Sequence, residues 1–167
     1  VSGTHGKTTT TSMITTALEL AGRDPSAVIG GKLPLINGYG KAGKGADIVI
    51  EACEFAETFL KLTPYLSVVL NIDNDHLDYY GSMGELKFAF KRFALMTQFM
   101  IFANADDKNT MDVMYTLDRR VRTFAIDNHG DYRAVNVNEY KPGFFEFDLK
   151  EWNTTDTTRI RLSVPGR

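Results

Sequence analysis

Apolar residues in this chain fall into short runs separated by Gly, Pro, Asn and Asp, and the spacing inside each run assigns an element. Met13, Ile14, Ala17, Leu18 and Ala21 recur at helical spacing, which predicts a helix directly after Gly6-Lys7 that stops at Gly22 with these residues inward. Residues 27–31 read as a short strand, and the glycine-rich stretch 37–45 as a mobile loop. Residues 46–52 and 66–72 are β-branched and apolar on consecutive positions, as expected of strands buried on both faces of a parallel sheet. The spacing of Leu86, Phe90, Phe93 and Ala94 predicts a helix over 82–97, followed by a buried strand over 99–103. A helix over 107–117 and a strand over 121–126 complete the alternation.

Strands that alternate with helices imply right-handed crossovers, an α/β class and a three-layer α/β/α sandwich with a mostly parallel sheet. The remainder has a different period. Residues 132–140, 144–149 and 157–164 alternate apolar with polar and are joined by Lys141-Pro142-Gly143 and by the Asn153-Thr154-Thr155-Asp156 turn, which predicts a small antiparallel meander at one edge.

Composition narrows the class. The chain has 167 residues, enough for one domain with a substantial core, and its 43% hydrophobic and 24% charged content is that of a globular protein. Its 19 basic and 21 acidic residues are scattered, so no footprint for nucleic acid or a membrane surface is present and small-molecule partners are expected. Cys53 is the only cysteine, which excludes an intrachain disulfide and a multi-cysteine zinc site, and fits a reducing, cytoplasmic location. No apolar run has the length of a membrane span; residues 88–103 come nearest and are broken by Lys91, Arg92, Thr97 and Gln98.

Candidate chemistry begins at once. The chain opens on Val1-Ser2-Gly3-Thr4-His5-Gly6-Lys7-Thr8-Thr9-Thr10-Thr11, which reads as a phosphate loop. Gly3 and Gly6 permit a tight turn with converging amides, Lys7 supplies positive charge, and Thr8 offers a hydroxyl to a phosphate-bound Mg²⁺. The pattern is shorter than a full G-x-x-x-x-G-K-[ST] loop, because Val1 stands where the first glycine belongs, and a plain glycine turn before a helix is the alternative. Such loops follow a buried strand, yet only Val1 and Ser2 precede Gly3, so the chain is expected to be one part of a longer protein.

Ligands of an open parallel sheet gather outside the carboxyl ends of its strands. The run ending in Ile50 delivers Glu51, Cys53 and Glu54 there, and the run ending in Ile72 delivers Asp73, Asp75, His76 and Asp78, so a carboxylate and an imidazole are available to hold Mg²⁺ beside a nucleotide. Each residue also has a plainer role: Glu51 and Glu54 as solvated loop acids, residues 75–78 as a helix cap, His5 as a shaper of its loop, His129 as a turn residue and Cys53 as a packed thiol.

Four segments in order, Gly3-Thr4-His5-Gly6-Lys7-Thr8-Thr9-Thr10, Glu51-Ala52-Cys53-Glu54, Asn71-Ile72-Asp73-Asn74-Asp75-His76-Leu77-Asp78-Tyr79-Tyr80 and Val164-Pro165-Gly166-Arg167, resemble the successive motifs of the Mur ligase central domain. The loop histidine and the D-H-L-D-Y-Y ending most resemble the branch that joins L-alanine to UDP-N-acetylmuramate; the murein-tripeptide ligase and folylpolyglutamate synthase are the sister readings. The resemblance implies that residues 1–167 are a single ATP-binding central domain of a three-domain ligase, between an N-terminal domain for the UDP-sugar and a closing C-terminal domain. It implies ATP and Mg²⁺ as cofactors, activation of the lactyl carboxylate as an acyl phosphate, and a role in peptidoglycan precursor synthesis. By position it assigns Gly3, Thr4, His5, Gly6, Lys7, Thr8, Thr9 and Asn104 to the nucleotide, Thr8, Glu51 and His76 to metal, and Lys7, Glu51 and His76 to catalysis. Asn104 lies in the Asn104-Ala105-Asp106-Asp107 turn, which has a plainer reading as a helix cap. Lys91 lies near the point where several sister ligases carry a carbamoylated lysine, and the alanine-adding branch generally lacks that lysine. A reading from another class stays open: a phosphate-loop module that hydrolyses nucleotide as a switch.

Overall fold

The structure, a computed structural model, describes residues 1–166, the side chain of Leu77 excepted. In chain order its elements are α1 (Lys7–Leu20), β1 (Ser26–Leu33), β2 (Gly38–Lys41), β3 (Ile48–Ile50), β4 (Leu66–Val69), α2 (Leu77–Tyr80), α3 (Met83–Leu95), β5 (Met100–Asn104), α4 (Lys108–Met114), β6 (Val121–Ala125), β7 (Tyr132–Lys141), β8 (Phe144–Glu151) and β9 (Thr157–Arg161). Short 3-10 segments cover Pro34–Ile36 and Phe55–Lys61. Among the described residues β2-β1-β3 form one sheet and β4-β5-β6-β7-β8-β9 another. β4 through β7 run parallel, and β7, β8 and β9 are the antiparallel edge meander. The α/β class and the meander are thus as the alternation of periods predicts.

Val1 and Ser2 join the two sheets. The Val1 nitrogen donates to Ile50 O at 2.8 Å and Val1 O accepts from Ala52 N at 2.8 Å, on the β3 side. On the β4 side Ser2 N donates to Val68 O at 2.8 Å and Ser2 O accepts from Leu70 N at 3.0 Å. These two residues therefore occupy the place of a central strand, and the loop that follows them emerges between the carboxyl ends of β3 and β4.

Two expectations about burial are corrected. Although residues 46–52 and 66–72 carry apolar residues on consecutive positions, Ile48 and Leu66 stand 60% and 51% exposed, while Val49, Ser67 and Val69 are buried. These short strands thus leave some apolar residues open, and apolar sequence alone does not create a covering layer. On α1 the fully buried residues are Thr11 and Thr15, whereas Met13 and Ala17 are exposed and Ile14 and Leu18 half-buried. Each threonine bends its hydroxyl back on its own helix, Thr11 Oγ1 to Lys7 O and Thr15 Oγ1 to Thr11 O, both at 2.8 Å, and so enters the interior with no polar group left over.

The stretch expected to be a mobile loop contains β2, paired antiparallel with β1, and Lys41 at its end binds Glu19 of α1 and, at 2.6 Å, Asp24. Backbone pairing needs no side chains, so a Gly-Tyr-Gly-Lys sequence forms a strand without an apolar signature. The principal core lies between α3, α4 and the β4–β5 pair, with Phe59, Ile72, Leu86, Phe90, Phe93 and Ile101 at its centre. Ser82 and Asp107 cap α3 and α4 by accepting from Glu85 N and Thr110 N. Phe59 stacks on Phe93 at 4.9 Å and meets Phe90 edge-on at 5.3 Å, which bolts the Phe55–Lys61 segment to α3.

Beyond β6 the chain turns around one carboxylate. Asp106 accepts from Ile126 N at 2.6 Å, Asn128 N at 2.7 Å and Asp127 N at 3.2 Å. Partial burial pulls this carboxyl upward, the three amide bonds outweigh it, and the net effect holds it below its ordinary value. A group depressed in the folded state contributes stability that is complete above its unfolded pKa of about 4 and is lost as pH falls through the folded value. Asp106→Asn is expected to lower stability by about 1–2 kcal/mol at neutral pH, and the difference from wild type should shrink below about pH 4, as measured by urea unfolding across a pH series. Equal stability at neutral pH would show that the turn does not depend on this carboxylate.

Candidate functional site

The loop at the start of the chain is shaped mainly by the segment after β4. Thr4 N donates to Asn71 O at 3.0 Å, His5 N to Asn71 Oδ1 at 2.7 Å, and Asn71 Nδ2 back to His5 O at 3.0 Å. Thr4 Oγ1 accepts from Asp73 N at 2.9 Å. Gly3 lies against this segment so closely that a Cβ at its position would come within 2.9 Å of Leu70 Cβ, at a φ of 139° that disfavours other residues. The amides of Thr4 and His5 are thus spent on Asn71. Those of Lys7, Thr8 and Thr9, in the first turn of α1, have no acceptor within the helix. Gly6 caps that helix in a left-handed conformation without a side-chain bond, in contrast to the side-chain-capped α3 and α4, and the first turn of α1 carries no acid. The end of α1 is therefore an exposed, partially positive group of donors, the arrangement that receives an anionic oxygen.

Two carboxylates after β3 face this helix end. Glu51 accepts from Thr8 Oγ1 at 2.8 Å and, through its other oxygen, from Gly30 N at 2.6 Å. A Cβ on residue 30 would sit 2.6 Å from Glu51 Oε1, so only glycine leaves this carboxylate its place. Glu54 is 1% exposed and faces Lys7, whose Nζ lies 3.1 Å from Oε1 and 2.9 Å from Oε2. The same ammonium donates to Gly3 O at 2.6 Å and Thr4 O at 3.1 Å. The solvated-acid reading of Glu54 is overturned by this burial, and the packed-thiol reading of Cys53 by its exposure.

His76 stands apart from this group. It has a left-handed backbone at φ 54°, its ring contacts Phe55 at 5.0 Å between centroids, and its Nδ1 is 3.7 Å from Asp75 Oδ1. Its segment is tied to the β3 side nonetheless, because the Tyr80 hydroxyl donates to Glu54 O. His5 is exposed, with Nε2 at 3.7 Å from Asp73 Oδ2. Asn104 ends β5, accepts from Asp106 N at 2.9 Å, and lines a cavity of about 330 Å³ with Phe124, Ile126, Tyr132 and Phe145. The turn 104–107 does cap a helix, since Asp107 at its end is the N-cap of α4. A second cavity, of about 510 Å³, lies on the meander around Arg133, Lys150 and Trp152, away from the loop. Lys91 is a half-buried residue of α3.

The structure thus brings Thr8 and Glu51 together and holds Lys7 beside them, while the polar partner of His76 is Asp75 and its ring partner Phe55. Among the described residues no group of three His, Cys, Asp or Glu side chains is poised to hold a metal ion. Sequence reasoning missed the roles of Asn71, Gly30 and Tyr80. The Gly30-Gly31 pair inside a strand was a usable signal, since glycine there marks a close approach.

A mostly parallel sheet whose central crossover delivers Lys7, Thr8 and an open helix end between two strand termini defines an α/β domain of the phosphate-loop type. Comparison with known proteins places it more narrowly. The family model of the Mur ligase middle domain matches residues 1–167, and the chain belongs to that family. It is 42% identical over 168 residues to the UDP-N-acetylmuramate–L-alanine ligase of Clostridium tetani, covering 99% of this chain and 36% of that protein. Among solved structures it resembles UDP-N-acetylmuramate-alanine ligase MurC from Thermotoga maritima, with a TM-score of 0.82 and 26% identity over 98% of this chain and 36% of that one. MurF from Thermotoga maritima, solved in complex with ADP, shares the fold at a TM-score of 0.73 and 19% identity, over 98% of this chain and 39% of that one. The chain spans about a third of the length of the ligases it matches.

The Asn71 clamp is directly testable. Asn71→Ala removes both side-chain bonds to His5, and is expected to cost about 1–2 kcal/mol and to speed hydrogen exchange at the His5 amide selectively, read by NMR. Unchanged protection at His5 would mean that the loop holds its shape without the clamp.

Proposed function

We propose that this chain is the ATP-binding central domain of an ATP-dependent ligase that joins L-alanine to UDP-N-acetylmuramate in peptidoglycan precursor synthesis. The observation that carries this reading is the uncapped start of α1, with Lys7 beside it and the Thr8 hydroxyl on Glu51. Further support comes from the ligases that the chain matches along its whole length, and from a protein of the same fold described in complex with ADP. Those ligases are longer, and flanking domains for the UDP-sugar and for closure are part of the proposal. A cytoplasmic setting belongs to it as well; no helix among the described residues is long and apolar enough to cross a membrane.

The β- and γ-phosphates would lie on the amides of Lys7, Thr8 and Thr9, with Gly3, Thr4, His5 and Gly6 forming the loop beneath them and Asn104 toward the base. Thr8 and Glu51 suit Mg²⁺, which keeps several waters and takes few protein ligands beside phosphate oxygens. When bound, the ion would draw charge from the phosphate oxygens. His76, tied to the same framework through Tyr80, is assigned to the acceptor side, where it would orient a second ion or the substrate carboxylate. In the reaction a lactyl carboxylate oxygen attacks the γ-phosphorus, the bond to the β-bridging oxygen breaks and ADP leaves. The amine of L-alanine then attacks the acyl carbon, inorganic phosphate departs, and the amine proton is lost to solvent. Lys7 serves the first step, in which an anion approaches an anion and an ammonium between them offsets their repulsion.

In the complete enzyme, ADP release should require both UDP-N-acetylmuramate and L-alanine; hydrolysis independent of them would instead support a nucleotide switch. Lys7→Ala is expected to slow the reaction by about a hundredfold or more, without recovery at high Mg²⁺. Because that change also strands the buried Glu54 charge, Lys7→Ala/Glu54→Gln should restore folding, read by thermal melting, and leave the rate low. Glu51→Gln is expected to raise the Mg²⁺ requirement and to recover in part as Mg²⁺ is added. Normal activity with an unchanged Mg²⁺ dependence in Glu51→Gln would remove Glu51 from the metal site.

A further inference from the structure

Among the described residues, Glu54 is the one charged side chain that is fully buried. Burying a carboxylate is costly unless a cation and hydrogen bonds accompany it, so its position calls for a reason. Its Oε1 accepts from Lys7, while Oε2, 2.9 Å from the same Nζ, lies outside hydrogen-bond alignment and accepts none. The support under this carboxylate is stiff. The Glu54 carbonyl accepts from the Tyr80 hydroxyl, Cys53 O accepts from Phe59 N at 2.9 Å, and Phe59 is wedged against Phe90 and Phe93. Lys7 itself is held on three sides, by Gly3 O, Thr4 O and Glu54. A long, flexible ammonium side chain is thereby fixed across its own loop with most of its charge balanced from below.

We infer that Glu54 is a positioning residue for Lys7: it fixes the ammonium over the loop and tempers its charge, so that ground-state nucleotide is held less tightly while Lys7 is kept in place for phosphoryl transfer. This rests on the nucleotide reading given above. The physical basis is that an interaction made equally with bound ATP and with the transition state does not accelerate the chemical step, whereas a fixed geometry does. A loose, uncompensated lysine would bind phosphate more strongly and transfer it more slowly.

The test uses the complete enzyme with Glu54→Gln, which retains shape and burial but removes the charge. ATP binding, measured calorimetrically without acceptor substrates, is expected to tighten by about tenfold, with the gain shrinking as salt is raised, while kcat falls by about tenfold or more. A merely structural role would weaken both. Glu54→Asp keeps the charge and withdraws it by one methylene, so ATP affinity should stay within about twofold of wild type while kcat falls; it serves if the glutamine variant melts below the assay temperature. A folded Glu54→Gln protein with unchanged or weaker ATP binding, or a Glu54→Asp protein with wild-type kcat, overturns the inference while the nucleotide reading stands. Wild-type enzyme that binds no ATP overturns that reading and this inference with it.

Discussion

Hydrogen bonding of Val1 and Ser2 to strands on both sides is the constraint from which the site follows. Because Ile50 and Ala52 hold one edge of this short segment and Val68 and Leu70 the other, Gly3 must leave the sheet between the ends of β3 and β4. Glu51 and Glu54 arrive from one neighbour, Asn71 and Asp73 from the other. A loop of few residues thereby meets two fixed walls, and its shape is set by them rather than by its own preferences.

The electrostatics divide along the same line. On the β3 wall the acids answer the cation and the hydroxyl of the loop: Glu54 takes Lys7 and Glu51 takes Thr8. On the β4 wall neutral amide chemistry does the holding, through Asn71. No side chain caps the first turn of α1, so the donors of that helix remain available. Burial of the Glu54 carboxylate is tolerated because its counter-ion is built into the loop, which makes the buried pair a register mark for the site more than a source of stability.

Much of this was legible in the sequence, and the omissions have physical causes. Continuous β-branched runs located β3 and β4, the helical readings of 82–97 and 107–117 located α3 and α4, and alternation found the meander. The inward face of α1 was not legible, because Thr11 and Thr15 count as polar until their hydroxyls turn back on the helix. β2 was hidden because its pairing uses backbone that any sequence possesses. In the site, the loop, Glu51 and His76 stood out by residue type and position. Glu54 did not, since an acid a few residues beyond the end of a strand looks solvated until Phe59 and Tyr80 are known to pin its segment inside. Asn71 lay within a recognised motif, but its two-way clamp on His5 requires the loop to return to the end of β4, which only the sheet order reveals.

The most direct test of the account is a titration of the complete protein with Mg-ATP, followed through backbone amide resonances. The amides of Lys7, Thr8 and Thr9 are expected to shift most, with smaller changes at Glu51. Saturable binding that leaves those three amides unmoved, and instead perturbs the meander around Arg133 and Trp152, would contradict it.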